Sequence, residues 1–115
     1  MRIEDRLWAL DEPNVYITKE QYMAALDGWK IEEHVAGAVL TKGPELHFKT
    51  FGNVGITRAD IRRYLQPLLD AYGYVITRTP KDDYRQQRFN RVIGFVDVGE
   101  DEFYTQFKME HLRCR

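Results

Sequence analysis

The chain has 115 residues, 43% of them hydrophobic and 30% charged, with a formal net charge of -1. That length holds one hydrophobic core, and the near-neutral balance excludes nucleic-acid or membrane binding through net charge alone. A single cysteine, Cys114, excludes a disulfide framework within the chain and points to a reducing compartment.

From the N-terminus, Ile3 to Leu10 reads as a short strand or one helical turn, broken by Asp11-Glu12-Pro13-Asn14. No apolar run reaches membrane-spanning length, and MRIEDRLWAL lacks the h-region of a signal peptide. A cytoplasmic location and no membrane partner are therefore expected. Val15-Tyr16-Ile17 reads as a short extended piece. Thr18, with Gln21 three residues on, forms a capping-box signature for one short helix that stops at Asp27-Gly28. Three strand-like runs follow: Trp29 to Val35, Ala38 to Thr41, and Glu45 to Phe51. Ala36-Gly37 and Lys42-Gly43-Pro44 are the turns of this antiparallel meander.

After the loop GNVGITRAD comes the strongest helical pattern in the chain. Ile61, Tyr64, Leu65, Leu68, Leu69 and Tyr72 recur at helical spacing, Thr57 and Asp60 form the cap, and Gly73 the stop. Pro67 lies inside this helix and is expected to bend it. Tyr74 to Thr79 is β-rich. Strand, helix, strand makes a crossover, so this run is expected to lie parallel to Glu45–Phe51. Asp82 or Asp83 caps a second helix with Phe89, Val92 and Ile93 as its apolar stripe and Gly94 as its stop. Residues 95–101 lead out of it. Glu102 to Met109 alternates as the final strand, with Phe103, Thr105, Phe107 and Met109 on one face. The expected fold is α+β in one domain: a reduced N-terminal part (1–28), a meander (29–51) and a loop-helix-strand-helix-strand core (52–115).

Glu45 and His47 lie two apart on one strand and share a face, opposite Leu46 and Phe48. They are candidates for a general base and equally for ordinary polar residues on a wet face. The three histidines show no metal-ligand spacing, so no metal site is expected. Residues 58–115 carry 11 basic and 9 acidic side chains, nine of the basic ones arginine. Arg62, Arg63, Arg85, Arg88 and Arg91 fall on the two helices, as an anion-binding patch or as a solvated surface paired with Asp60, Asp70, Asp82 and Asp83.

From Glu45 onward, over about 70 residues, the chain resembles the GNAT N-acetyltransferase superfamily. The strand ELHFKTF runs into a glycine-containing loop that opens a helix. YVITRTP is followed by KDDYRQQRFNRVIGF, which is similar to the family's Asn-x-x-Ala-x-x-x-Tyr-x-x-x-Gly-Phe helix through Arg88, Phe89, Gly94 and Phe95. The chain then closes on FKMEHL. The resemblance implies a largely antiparallel sheet with a central β-loop-α-β crossover and two main helices. It implies acetyl-CoA as cofactor, N-acetyl transfer to a small-molecule or protein amine, and pyrophosphate binding on Phe51, Gly52, Asn53, Val54, Gly55, Ile56, Thr57 and Arg58 near a helix N-terminus. Glu45 or His47 would be the base. Depending on the register, Lys49-x-x-Gly52-x-Val54 or Gly52-x-x-Gly55-x-Thr57, Val54 or Thr57 stands where the family's loop has a glycine or alanine. Asn90 stands where many members carry a proton-donating tyrosine, with Tyr104 as a substitute donor. Only one of the family's two N-terminal helices is expected. These departures, and the compact size, look most like phage-encoded members. The alternative they imply is a non-catalytic GNAT-fold structural or interaction protein, self-associating or part of a phage virion in a bacterial host, with nucleic acid not expected as a partner.

Overall fold

Helix α1 (Ile3–Asp11) carries Glu4 and Asp5 in its first turn, where the helix dipole favours them. Its one fully buried residue is Leu7, and Ile3 and Trp8 pack around the same cluster. A nine-residue helix therefore replaces the strand or single turn expected there, because Ile3 and Leu7, four apart, share a face against a core. A 3-10 turn at Glu12–Asn14 follows. Tyr16 and Ile17 are exposed and belong to no strand. Helix α2 (Lys19–Ala25) starts at Thr18 with the full capping box: Thr18 Oγ1 accepts from the Gln21 amide and Gln21 Oε1 accepts from the Thr18 amide. Two helices thus precede the first strand, not one.

The strands are β1 (Lys30–His34), β2 (Gly37–Lys42), β3 (Glu45–Thr50), β4 (Val75–Pro80), β5 (Val96–Glu100) and β6 (Tyr104–Met109). The remaining helices are α3 (Arg58–Tyr72) and α4 (Tyr84–Ile93). This α+β chain, seen in a computed structural model, has a mixed six-stranded sheet in the order β1-β2-β3-β4-β6-β5 and four α-helices. The structure describes residues 2–51 and 56–112. Among the described residues no helix is long and apolar enough to cross a membrane.

The chain divides into two compact units, Met1–Lys42 with Phe48–Gly55, and Gly43–His47 with Ile56–Arg115. In the first, Leu7, Tyr22, Ala38 and Leu40 form the core, with Trp8, Leu26, Trp29, Ile31 and Phe51 packed on it. Burial of these side chains contributes about 1.5–3 kcal/mol each to stability, before the entropy of ordering them is subtracted. β1 and β2 form an antiparallel hairpin from Lys30↔Thr41 to His34↔Gly37. Its turn is Val35-Ala36, one residue earlier than the expected Ala36-Gly37. Gly37 is inside the strand because a Cβ there would lie 1.8 Å from the Lys49 carbonyl oxygen.

In the second unit α3 begins at Thr57 and ends at Gly73, whose φ of 80° is left-handed. Ile61 and Leu65 are its buried residues. β4 pairs parallel with β3 and antiparallel with β6. On the covered face Val75, Thr77 and Thr79 of β4 lie beside Met109, Phe107 and Thr105 of β6, all buried. The expected stripe of α4 is only partly inward. Ile93 is buried, but Val92 is exposed, and Gln87 and Asn90 take the inside. Both amides are satisfied there. Gln87 Nε2 donates to the carbonyls of Pro80 and Lys81, and Asn90 Nδ2 donates to Thr79 Oγ1. Residues 96–100, read as a lead-out, form the exposed edge strand β5, paired with β6 and irregular between Asp97 and Gly99. Phe103, expected on the inward face, is exposed. β6 starts two residues later than expected, at Tyr104, because Asp101 Oδ1 accepts from the amides of both Phe103 and Tyr104 and closes the turn.

Candidate functional site

Strand alternation puts Glu45 and His47 on one face of β3, with the fully buried Leu46 between them on the other. The structure brings the pair into contact: His47 Nε2 lies 2.6 Å from Glu45 Oε2. Both side chains are largely shielded, 22% and 24% exposed respectively, which strengthens their interaction relative to one in open water. A carboxylate on one imidazole nitrogen sets the tautomer and orients the ring. The 2.6 Å contact already holds one proton between Nε2 and Oε2, so a further proton is accepted at the other imidazole nitrogen. Glu45 is also the one β3 residue in register with β4, opposite Ile76, and the Ile76 amide donates to the Pro44 carbonyl at 2.9 Å.

Tyr104 is on the same sheet face as the pair, since it opposes Pro80 and Pro80 lies four residues along β4 from Ile76. Four strand residues span about 13 Å, so the phenol is not brought into the Glu45–His47 group. Its ring instead lies under the Arg78 guanidinium, 5.3 Å from centroid to carbon.

The expected phosphate loop is only partly in view. Gly52, Asn53, Val54 and Gly55 lie outside the described residues. Phe51 packs on the core of the first unit, beneath the Arg6 guanidinium at 4.4 Å. Its amide donates to the Ala36 carbonyl at 2.8 Å and is not available to a phosphate. Ile56 is partly buried. Thr57 is the N-cap of α3: its Oγ1 accepts from the Asp60 amide at 3.1 Å, and its own amide donates to Asp60 Oδ2 at 3.2 Å. The α3 N-terminus thus has its own carboxylate, which competes with an incoming anion for the positive end of the dipole. The Arg58 and Ala59 amides, in the first turn, have no acceptor within the helix, and the Arg58 side chain is exposed.

Asn90 is a structural residue. It is 3% exposed, donates to Thr79 Oγ1 at 2.9 Å and accepts from Gln86 Nε2 at 2.9 Å. An amide has no proton to give near neutral pH. Lys49 Nζ, just before the loop, lies 3.4 Å from Asp11 Oδ1. The other oxygen of Asp11 accepts from the Tyr22 hydroxyl at 2.6 Å, and burial together with this carboxylate pushes the Tyr22 phenol well above its ordinary pKa. Sequence reading missed this Tyr22–Asp11–Lys49 network; its members are 11 and 38 residues apart. A groove lined by Arg2, Glu4, Asp5, Lys19, Glu20 and Met23 in the first unit carries the ion pairs Arg2–Glu4 and Lys19–Asp5.

Compared with known proteins, the chain matches no protein-family profile, no curated protein and no solved structure.

Proposed function

We propose that the protein is a GNAT-like domain that binds acyl-CoA and transfers the acetyl group to an amine, with Glu45 and His47 as the base. The observation that carries this reading is their 2.6 Å contact on β3, beside the register pair with β4. The β3–α3–β4 crossover, with parallel pairing confined to Glu45↔Ile76, supports it. The two helices before β1 agree with the number that the resemblance implies, while no strand precedes them among the described residues.

When bound, acetyl-CoA supplies an activated acyl carbon in its thioester. An amine is protonated near neutral pH and must lose that proton before its nitrogen can attack. The Glu45–His47 pair accepts the proton, and the shielding of both side chains keeps bulk water from competing for it. Arg58 and the first-turn amides of α3 hold one phosphate oxygen group.

A second reading, a non-catalytic GNAT-fold structural or interaction protein such as a virion component, is favoured by Asn90 and Asp60. The first gives no proton to a departing thiolate, and the second fills the helix end with an anion. Thermal shift with acetyl-CoA separates the two. Ligand at a hundred times Kd stabilises the fold by about 2.7 kcal/mol. No shift at roughly millimolar acetyl-CoA leaves only the second reading. If acetyl-CoA binds, Glu45→Gln is expected to keep binding and lose turnover; full turnover in that variant would show that the base is elsewhere.

A further inference from the structure

The outward face of α4 is cationic and apolar at once. Tyr84, Arg88 and Val92 recur every four residues along it, and Arg85 flanks them. Tyr84 is 76% and Val92 66% exposed. Arg91 is engaged by Asp97 through two hydrogen bonds of 3.0 and 2.8 Å. Arg85 and Arg88 make no ion pair among the described residues. The helix contains three arginines and no acidic residue.

The same unit carries a face of the opposite kind. The β5–β6 tip presents Phe103, 65% exposed, beside Glu100, Asp101 and Glu102, with Val98 54% exposed on β5. The tip is held firmly. Asp101 Oδ1 accepts two amides, the Asp101 amide donates to Tyr104, and the Lys81 amide donates to the Phe103 carbonyl at 3.0 Å. That last bond places Asp82 and Asp83, exposed residues at the start of α4, beside the tip. Five carboxylates therefore surround Phe103 against Lys81 and Arg78, the two cations that help hold the Asp101 carboxyl below its ordinary pKa.

We propose that the α4 face docks on the β5–β6 tip of a second copy of this chain, forming a two-fold dimer. The helix face presents exposed Tyr84 and Val92 with Arg85 and Arg88, while the tip presents exposed Phe103 with carboxylates in excess over Arg78 and Lys81, the latter 3.7 Å from Glu100, so the two carry net charge of opposite sign. Because helix and tip are neighbours in one unit, a two-fold axis between two copies lays each tip on the other's helix and makes the contact twice. The net charge of -1 places no long-range repulsion between copies. This inference does not rest on the acyl-CoA reading, and its readout is independent of acetyl-CoA.

Sedimentation velocity on the intact protein tests it. The wild type is expected to sediment as a dimer at low salt and to weaken by about tenfold or more at high salt. Arg85→Glu with Arg88→Glu is expected to give a monomer with unchanged far-UV circular dichroism, and Glu100→Lys with Glu102→Lys likewise. Combining all four substitutions swaps the charges and is expected to restore the dimer. A monomeric wild type at low salt would overturn the proposal, as would a dimer indifferent to the arginine reversals or a charge swap that restores nothing. A monomer that binds a single-stranded RNA oligonucleotide through Arg85 and Arg88 would also overturn it and assign the helix face to nucleic acid.

Discussion

Removing the Asn90 side chain tests whether this position is structural rather than catalytic. Asn90→Ala deletes the donor to Thr79 Oγ1 and the acceptor for Gln86 Nε2 in a site where Asn90 and Thr79 are both almost fully buried. The lost hydrogen bond to Thr79 costs about 1 kcal/mol net, and an unsatisfied Thr79 hydroxyl up to about 1–3 kcal/mol. The vacated volume, roughly 30 Å³, adds about 0.7 kcal/mol. Alanine's higher helix propensity returns about 0.6 kcal/mol. The expected total is about 2–4 kcal/mol, or roughly 10–20 °C in Tm. Thr79→Val is expected to cost about 1–2 kcal/mol, since it strands an Asn90 amide proton. In the double variant neither partner is stranded, so the cycle should return a coupling of about 1 kcal/mol. Urea unfolding followed by far-UV circular dichroism is the assay, because both tryptophans, Trp8 and Trp29, are in the other unit. A coupling below about 0.3 kcal/mol would refute the reasoning. Asn90→Tyr is expected to overpack the site and cost about 1–3 kcal/mol in the same unfolding assay.

Gly37→Ala is expected to destabilise the first unit by about 3 kcal/mol or more, because the new Cβ meets a backbone carbonyl that cannot step aside. Gly43→Ala, with φ of 57° and nothing within 4 Å, should cost only about 1 kcal/mol in denaturant unfolding. Equal losses would mean that the contact at Gly37 is not tight. Tyr22 has a raised pKa in the folded state, so its stabilising contribution is complete below the ordinary phenol value near 10 and is lost as pH rises toward the folded value. Absorbance of phenolate should show one of the seven tyrosines titrating only as the protein unfolds, and Tyr22→Phe should abolish that feature. Asp97 has a lowered pKa because Arg91 donates to it and attracts its charge. Its contribution is present above about pH 4 and is lost as pH falls through the folded value. Being exposed, the pair should contribute less at high salt, and an Asp97→Asn variant should show a shallower acid transition.

Local chemistry was legible in the sequence. The capping boxes at Thr18 and Thr57, the glycine stop at Gly73, the periodic helix α3 and the β1–β2 hairpin depend on neighbours a few residues apart, and the structure contains each of them. The shared face of Glu45 and His47 follows from strand alternation alone. What the sequence did not disclose depends on which residues meet across the fold. α1 looks weak in isolation and forms because Ile3, Leu7 and Trp8 find a core. Phe103 looks inward by alternation and faces out because Asp101 closes the turn before it. Val92 reads as core by periodicity, but Asn90 and Gln87 take the inside because Thr79 and two carbonyls near the end of β4 satisfy their amides there. Charge shows the same division. A sum of -1 is a property of composition, whereas the sorting of arginines onto α4 and carboxylates around Phe103 exists only once residues 81–103 are folded against one another.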